Sequence, residues 1–140
     1  MANTVISSQT YDIPASQERV FTWLSDLRNL ESAMPQGKIS NWKATESDCS
    51  FIIKGMSTIG MEIKPGIPPQ QVHMHSSRVS PIVFDLYGHI DPTDQGCRLR
   101  FEMITDMTPF VKMVAEKPLT SFFDSMTANI KAQMEAHPQS

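Results

Sequence analysis

Cysteine is nearly missing from this sequence: Cys49 and Cys97 are the only two. They lie in separate alternating segments, and neither has a close Cys or His at metal-ligand spacing, which argues against a disulfide framework or a zinc-type site. Reduced, buried thiols packing as small hydrophobes are expected instead. Runs of positive charge are also missing. Twelve Lys and Arg stand against fifteen Asp and Glu, for a formal net charge of -3 and a pI near 5.7. With nothing to track a phosphate backbone, no nucleic-acid partner is expected. No apolar run approaches the roughly 20 residues that cross a bilayer, so no membrane insertion is expected. The opening stretch MANTVISSQTYDIP has neither a charged start nor an apolar run, and a cytoplasmic location is the expectation. Nucleophile elbows, glycine-rich phosphate loops, CxxC pairs and HExxH helices are absent, and DPTDQG lacks the length and terminal Glu of a calcium loop. No cofactor is expected.

Methionine, by contrast, is plentiful, with ten residues. Unbranched and polarizable, Met fills irregular space and tolerates repacking. Ten of them suit either a solid core or a plastic pocket. At 140 residues, 40% hydrophobic and 19% charged, the chain fits one globular domain spanning 1–140. A chain of this size buries roughly 68% of the surface its unfolded form exposes, enough for a real core.

The pattern of apolar residues divides the chain into elements. Residues 3–13 read as a first strand, which IPAS ends. Val20, Phe21, Leu24 and Leu27 then recur at helical spacing, with Ser16 placed to cap the first turn and Glu18 suited to its positive end. Leu30 and Met34 continue this face into a second short helix, stopped by Pro35-Gln36-Gly37. From Ile39 to Met107 the period changes to two. ISNWKAT, CSFIIKG, TIGMEIK, QQVHMHSSRV, IVFDLYGHI and CRLRFEMIT form six segments, separated by ESD, GMS, PGIPP, SP and DPTDQG, all rich in turn formers. In the last segment Cys97, Leu99, Phe101 and Met103 point one way while Arg98, Arg100 and Glu102 point the other. Phe110, Met113 and Val114 mark a short amphipathic helix over 109–117. Pro118 should break or kink it, because its ring removes a donor and crowds the preceding turn. A longer helix to about residue 136 carries Leu119, Phe122, Met126, Ile130 and Met134 on one stripe.

Strands in a run, followed by a long helix, argue α+β. IPASQERVFTWLSDLRNLESAMP, the six-strand stretch and TPFVKMVAEKPLTSFFDSMTANI together resemble the START-like, or helix-grip, superfamily, which includes polyketide cyclase/dehydrase and lipid-transport proteins. The resemblance covers nearly the whole chain. It implies a seven-stranded curved antiparallel sheet wrapped around a long C-terminal helix, with two short helices between strands 1 and 2. On such a scaffold members bind lipids or polyketides, catalyse cyclisation, or serve as chaperone activators, so fold alone does not choose among them.

His73-Met74-His75 poses a separate question. Residues i and i+2 of a strand share a face, so two imidazoles can approach one ion. A hairpin turning through Ser80-Pro81-Ile82 sets His73 opposite His89 and His75 opposite Tyr87, bringing a third imidazole near. Val72 and Met74, however, share a side with Phe84, Leu86 and Ile90, the side expected under the helix. The histidines then face water, where a metal would have no walls around it, and no metal site is expected.

The inward set is where a ligand would lie. From the strands it comprises Phe51, Ile53, Ile59, Met61, Met74, Phe84, Leu86, Leu99, Phe101 and Met103; the C-terminal part adds Phe110, Met113, Phe122, Met126 and Ile130. None of these can transfer a proton, which argues against hydrolase or cyclase chemistry. Tyr11, Trp42, Tyr87 and Asp106 are each one register slip from facing inward, Tyr11 and Trp42 foremost. The expected partner is a small hydrophobic molecule, with a cyclase/dehydrase-type enzyme and a chaperone-activator-type interaction module as alternatives. Catalytic residues and oligomeric state stay unassigned.

Overall fold

The structure, a computed structural model, describes residues 4–136. Its elements in chain order are β1 (Thr4–Ser7), β2 (Tyr11–Ile13), α1 (Gln17–Leu24), a 3-10 helix (Leu27–Ala33), β3 (Ile39–Ala44), β4 (Asp48–Ile53), β5 (Thr58–Ile67), β6 (Gln71–Ser76), β7 (Phe84–Thr93), β8 (Gly96–Thr105) and α2 (Pro109–Ala136). The strands form one antiparallel sheet in the order β1-β8-β7-β6-β5-β4-β3, and β2 also pairs with β8. The expected first strand is therefore two short ones sharing one neighbour, so seven positions across the sheet hold eight strands. Asn3, placed in that strand by the sequence, lies outside the described residues.

The break between β1 and β2 is a hydrogen-bonded feature. Ser8 N–H donates to the Phe101 carbonyl at 2.9 Å, and Phe101 N–H donates to Ser8 Oγ at 3.0 Å. The next donor, Gln9 N–H, turns to Asp124 Oδ1 of α2 at 2.7 Å. The interruption thus ties the sheet to the helix that crosses it.

Period-two patterning sorts the strand residues as expected. Cys97, Leu99, Phe101 and Met103 are buried, and α2 buries a stripe running from Ala115 to Met134. Together with Val20 and Leu24 of α1 and Leu27 and Leu30 of the 3-10 helix, they form one apolar cluster. Ser16 caps α1, its Oγ accepting from Arg19 N–H at 3.1 Å, and Glu18 sits in the first turn.

Four expectations are corrected. PGIPP is not all turn: β5 runs on through Pro65 and Gly66 to Ile67. The ladder to β6 shifts register between Lys64 and Ile67, and a bulge leaves an unpaired position where Pro's missing donor costs nothing. GHIDP and DPT likewise belong to β7, leaving Asp94-Gln95 as the turn into β8. Pro92 is tolerated there because β6 has already ended, at Gln71 opposite His89. The β6–β7 register differs by two residues from the sequence reading: His73 faces Tyr87 and His75 faces Asp85. A shift of two preserves which face each side chain occupies. Finally, Pro118 does not split the last helix, which is continuous over 28 residues. The carbonyl that loses its partner belongs to Val114, on an exposed stretch where water can serve it.

Candidate functional site: the apolar interior under the long helix

The space between sheet and helix is built from side chains whose direction the strands dictate. Phe51 and Ile53 of β4, Ile59 and Met61 of β5, Phe84 and Leu86 of β7 and Met103 of β8 point toward α2, which answers with Leu119, Phe122, Phe123 and Met126. Met34, just past the 3-10 helix, closes one side. The cavity left among them is about 20 Å³, room for about one water molecule and far below the roughly 300–1,000 Å³ of typical ligand pockets. Every lining side chain is apolar.

An aromatic row leads into this space. Trp42 stacks on Phe51 at 5.6 Å between centroids, Phe51 on Phe122 at 6.0 Å, and Phe123 meets Phe122 edge-on at 5.8 Å. Trp42 reaches the row through a bulge in β3. Ile39 opposes Ile53 and Ala44 opposes Cys49, both inward residues, although strict alternation over that interval would place 39 and 44 on opposite faces. The register shifts between Ser40 and Lys43, where Asn41 adopts φ 56°. Asn is among the few side chains at home in that left-handed region. The bulge therefore turns Trp42 inward, the one-residue slip that its amphipathic ring makes useful.

Of the residues expected inside, Phe51, Ile53, Ile59, Met61, Phe84, Leu86, Met103, Phe122 and Met126 border the cavity. Met74, Leu99, Phe101 and Ile130 are buried but pack elsewhere in the core. Phe110 and Met113 are corrections: they are 69% and 71% exposed. They lie on the first two turns of α2, before the helix reaches the sheet, so the helical stripe is right but its outer end has no partner. Sequence reasoning missed Phe123, which adjoins Phe122 and faces the core because the sheet wraps more than one side of the helix. It also left out Met34 and Leu119, both visible on their stripes.

Among the described residues no charged group lines the cavity. Cys49 and Cys97 are buried thiols; burial, helped by the Asp48 carboxylate, pushes Cys49 up to about 12, and burial pushes Cys97 up to about 11. Among the described residues no buried side-chain polar atom lacks a partner. Thr127, fully buried, donates its hydroxyl to the Phe123 carbonyl at 2.7 Å and does not border the cavity. A wider hollow of about 630 Å³, bordered by Asp12, Asp94, Arg98, Lys131 and Glu135, is open to solvent and charged in both signs. It has none of the enclosure an apolar molecule needs.

The histidines lie on the opposite, outer face. His73 Nε2 and His75 Nδ1 both meet Asp85 Oδ1, at 2.8 and 2.9 Å, and His89 Nε2 meets Glu102 Oε1 at 3.0 Å. Tyr87 stacks between His73 and His89, with centroids at 4.5 and 6.1 Å. Among the described residues no three His, Cys, Asp or Glu side chains converge as a metal-ion site. Burial acts to raise the Asp85 carboxyl, but the imidazole hydrogen bonds and their charge outweigh it, and the group lies below the usual value. Tyr87 is raised, by burial and then by the Asp85 and Glu102 carboxylates.

No protein-family model matches the chain, and neither does any curated protein. Solved structures do. A norcoclaurine synthase point mutant from Thalictrum flavum, in complex with a transition-state analogue, superposes with a TM-score of 0.75 at 14% identity, covering 99% of this chain and 98% of that one. A protein from Thermus thermophilus gives 0.76 at 14% identity, over 97% and 100%. A START superfamily protein from Mycobacterium smegmatis gives 0.69 at 13% identity, over 94% and 97%. The chain has the START-like, helix-grip fold.

Proposed function

We propose that the chain is a single START-like domain, 1–140, that binds a small hydrophobic molecule between the sheet and α2. The observation that carries this reading is the lining: twelve side chains from five elements and one loop converge there, and none is polar. Such a container selects by shape and by apolar area removed from water. The cavity is about 20 Å³, so binding requires added room, and Met34, Met61, Met103 and Met126 are the side chains suited to make it, because unbranched thioether chains change rotamer at low cost. On the same fold, a norcoclaurine synthase from Thalictrum flavum is described in complex with dopamine and hydroxybenzaldehyde, both small aromatic molecules. A cyclase/dehydrase-type reaction has less support, since the lining supplies no proton donor or acceptor.

A second reading, an interaction module, is favoured by one observation: Phe110, Val111, Met113 and Val114 are exposed together on the start of α2. The two readings separate in one experiment. Native mass spectrometry of protein purified from its own host should show a bound apolar adduct, and an uncharged fluorescent apolar probe should bind saturably with one site. Loss of that site in Met103→Trp, whose added volume would occupy the interior, places it there. If apolar probes of several shapes show no saturable binding, the container reading fails.

A further inference from the structure

We infer that the ligand of this domain is amphipathic, with its apolar body in the interior cavity, an anionic head in a polar hollow beside it, and Met34 as the partition between the two. The inference rests on the container reading above and adds a head group to it. The hollow measures about 480 Å³ and opens to solvent between the end of the 3-10 helix and the second half of α2. Met34 borders both spaces and is itself only 6% exposed. The chain leaves the 3-10 helix there in an extended conformation, φ -69° and ψ 140°, which the following proline favours. An unbranched thioether at that position can be turned aside without moving the backbone.

The two spaces differ in chemistry. The cavity is lined by apolar side chains alone, whereas Ser32, Gln36, Lys38, Ser125, Asn129 and Gln133 border the hollow. Among the described residues Lys38 is its one charged neighbour. Five neutral hydrogen-bonding side chains around a single ammonium suit a head that carries negative charge and accepts hydrogen bonds, as a carboxylate does. The larger hollow at the β7–β8 turn lacks that bias: it mixes both signs and shares no lining residue with the cavity. Both walls of the smaller hollow are fixed. On α2, Phe122 and Met126 border the cavity while Ser125 and Asn129 border the hollow, two stripes that adjoin at i+3 and i+4 spacing. Asn129 Nδ2 donates to the Ala33 carbonyl at 3.0 Å, binding the helix to the residue before Met34. On the other wall Lys38 N–H donates to the Pro35 carbonyl at 3.3 Å, across a turn in which Gly37 adopts φ 75°, and the Lys38 carbonyl accepts from Lys54 N–H at 2.9 Å. Glycine suits that left-handed position, and the turn holds Gln36 and Lys38 at the border. The movable element between these walls is the Met34 side chain.

Isothermal titration calorimetry with naphthylacetate and its uncharged methyl ester tests the head group. By apolar area alone the ester should bind more tightly. The carboxylate should instead bind about fivefold more tightly than the ester, and Lys38→Gln should erase that preference while leaving ester affinity and the melting temperature unchanged. An ester that binds as well as the acid overturns the inference and leaves the container intact; a preference that survives Lys38→Gln overturns the placement of the head. Ala132→Trp tests the hollow itself. Ala132 is exposed and borders it, so the fold should hold while affinity for naphthylacetate falls about tenfold; unchanged affinity overturns the inference. Met34→Leu keeps the volume and the fold but gives up the unbranched chain, and association of naphthylacetate, followed by stopped-flow fluorescence, should slow severalfold. An unchanged rate refutes Met34 as the partition. If neither compound binds the wild type, the container reading fails and the inference falls with it.

Discussion

Phe51 of β4 and Phe122 of α2 lie nearly parallel across the interior, with centroids 6.0 Å apart and ring planes 10° apart. The contact joins the sheet to the helix beside the small apolar cavity. It is a packing contact, since the space beside it is only about 20 Å³. Phe122→Ala should therefore cost about 3–5 kcal/mol, the usual range for a buried ring whose site cannot collapse. Urea denaturation measures it. A loss below about 1 kcal/mol would show that Phe122 borders space already open, contrary to the packing described.

Much of this arrangement is written in the period of the apolar residues. Leu99, Phe101 and Met103 could face only one way once Arg98, Arg100 and Glu102 faced the other, and α2 announced its stripe from Leu119 to Met134. What period cannot convey is where a neighbour ends. Phe110 and Met113 continue the stripe by spacing, but the sheet does not extend beneath them, and nothing in their own segment says so. Register across Ser77–Val83 was similarly out of reach. The connection folds back, with Ser77 N–H donating to the Gly60 carbonyl at 2.8 Å and Ser80 N–H to the Ser77 carbonyl at 3.1 Å, and this sets His73 against Tyr87 rather than His89. The bulge at Asn41 had a signal, an Asn in a strand beside an amphipathic Trp, but alternation alone reads straight past it.

On the outer face, one carboxylate oxygen of Asp85 serves two imidazoles, and the folded protein holds that carboxyl below its usual value. A depressed value means that the unfolded chain takes up the proton first. The stabilisation is thus complete above the ordinary carboxylate value of about 3.9 and is lost as pH falls through the lower folded value. Thermal denaturation between pH 5 and pH 2 should show a smaller acid-induced drop for Asp85→Asn than for the wild type. Parallel curves would mean that the ionisation of Asp85 is not coupled to folding.

Cys49 and Cys97 are 4% and 0% exposed, with their thiols pushed up to about 12 and about 11. The thiolate is the reactive form, and at pH 8 almost none is present in the folded state. Iodoacetamide at that pH should leave both residues unmodified in native protein and alkylate both in urea, as read by intact mass. Modification of the native protein at a rate independent of denaturant would refute this placement of the two side chains.

Ser8 combines two roles that a neighbouring surface residue does not. Its hydroxyl accepts from the buried Phe101 N–H at 3.0 Å and donates to the Gln9 carbonyl at 2.8 Å, and the residue is 5% exposed. Ser8→Ala leaves a donor inside the sheet with no acceptor and no access to water, which should cost about 1–3 kcal/mol. Asp12, on the neighbouring β2, makes its contact with Arg98 in the open, with side chains 80% and 60% exposed. Asp12→Ala should change stability by no more than about 0.5 kcal/mol, because an exposed pair gains little over its hydrated partners. Measured side by side by urea denaturation, the two variants separate burial from charge: if Asp12→Ala proves the costlier, then the β1–β2 break is held by its surface ion pair and not by the hydroxyl beneath it.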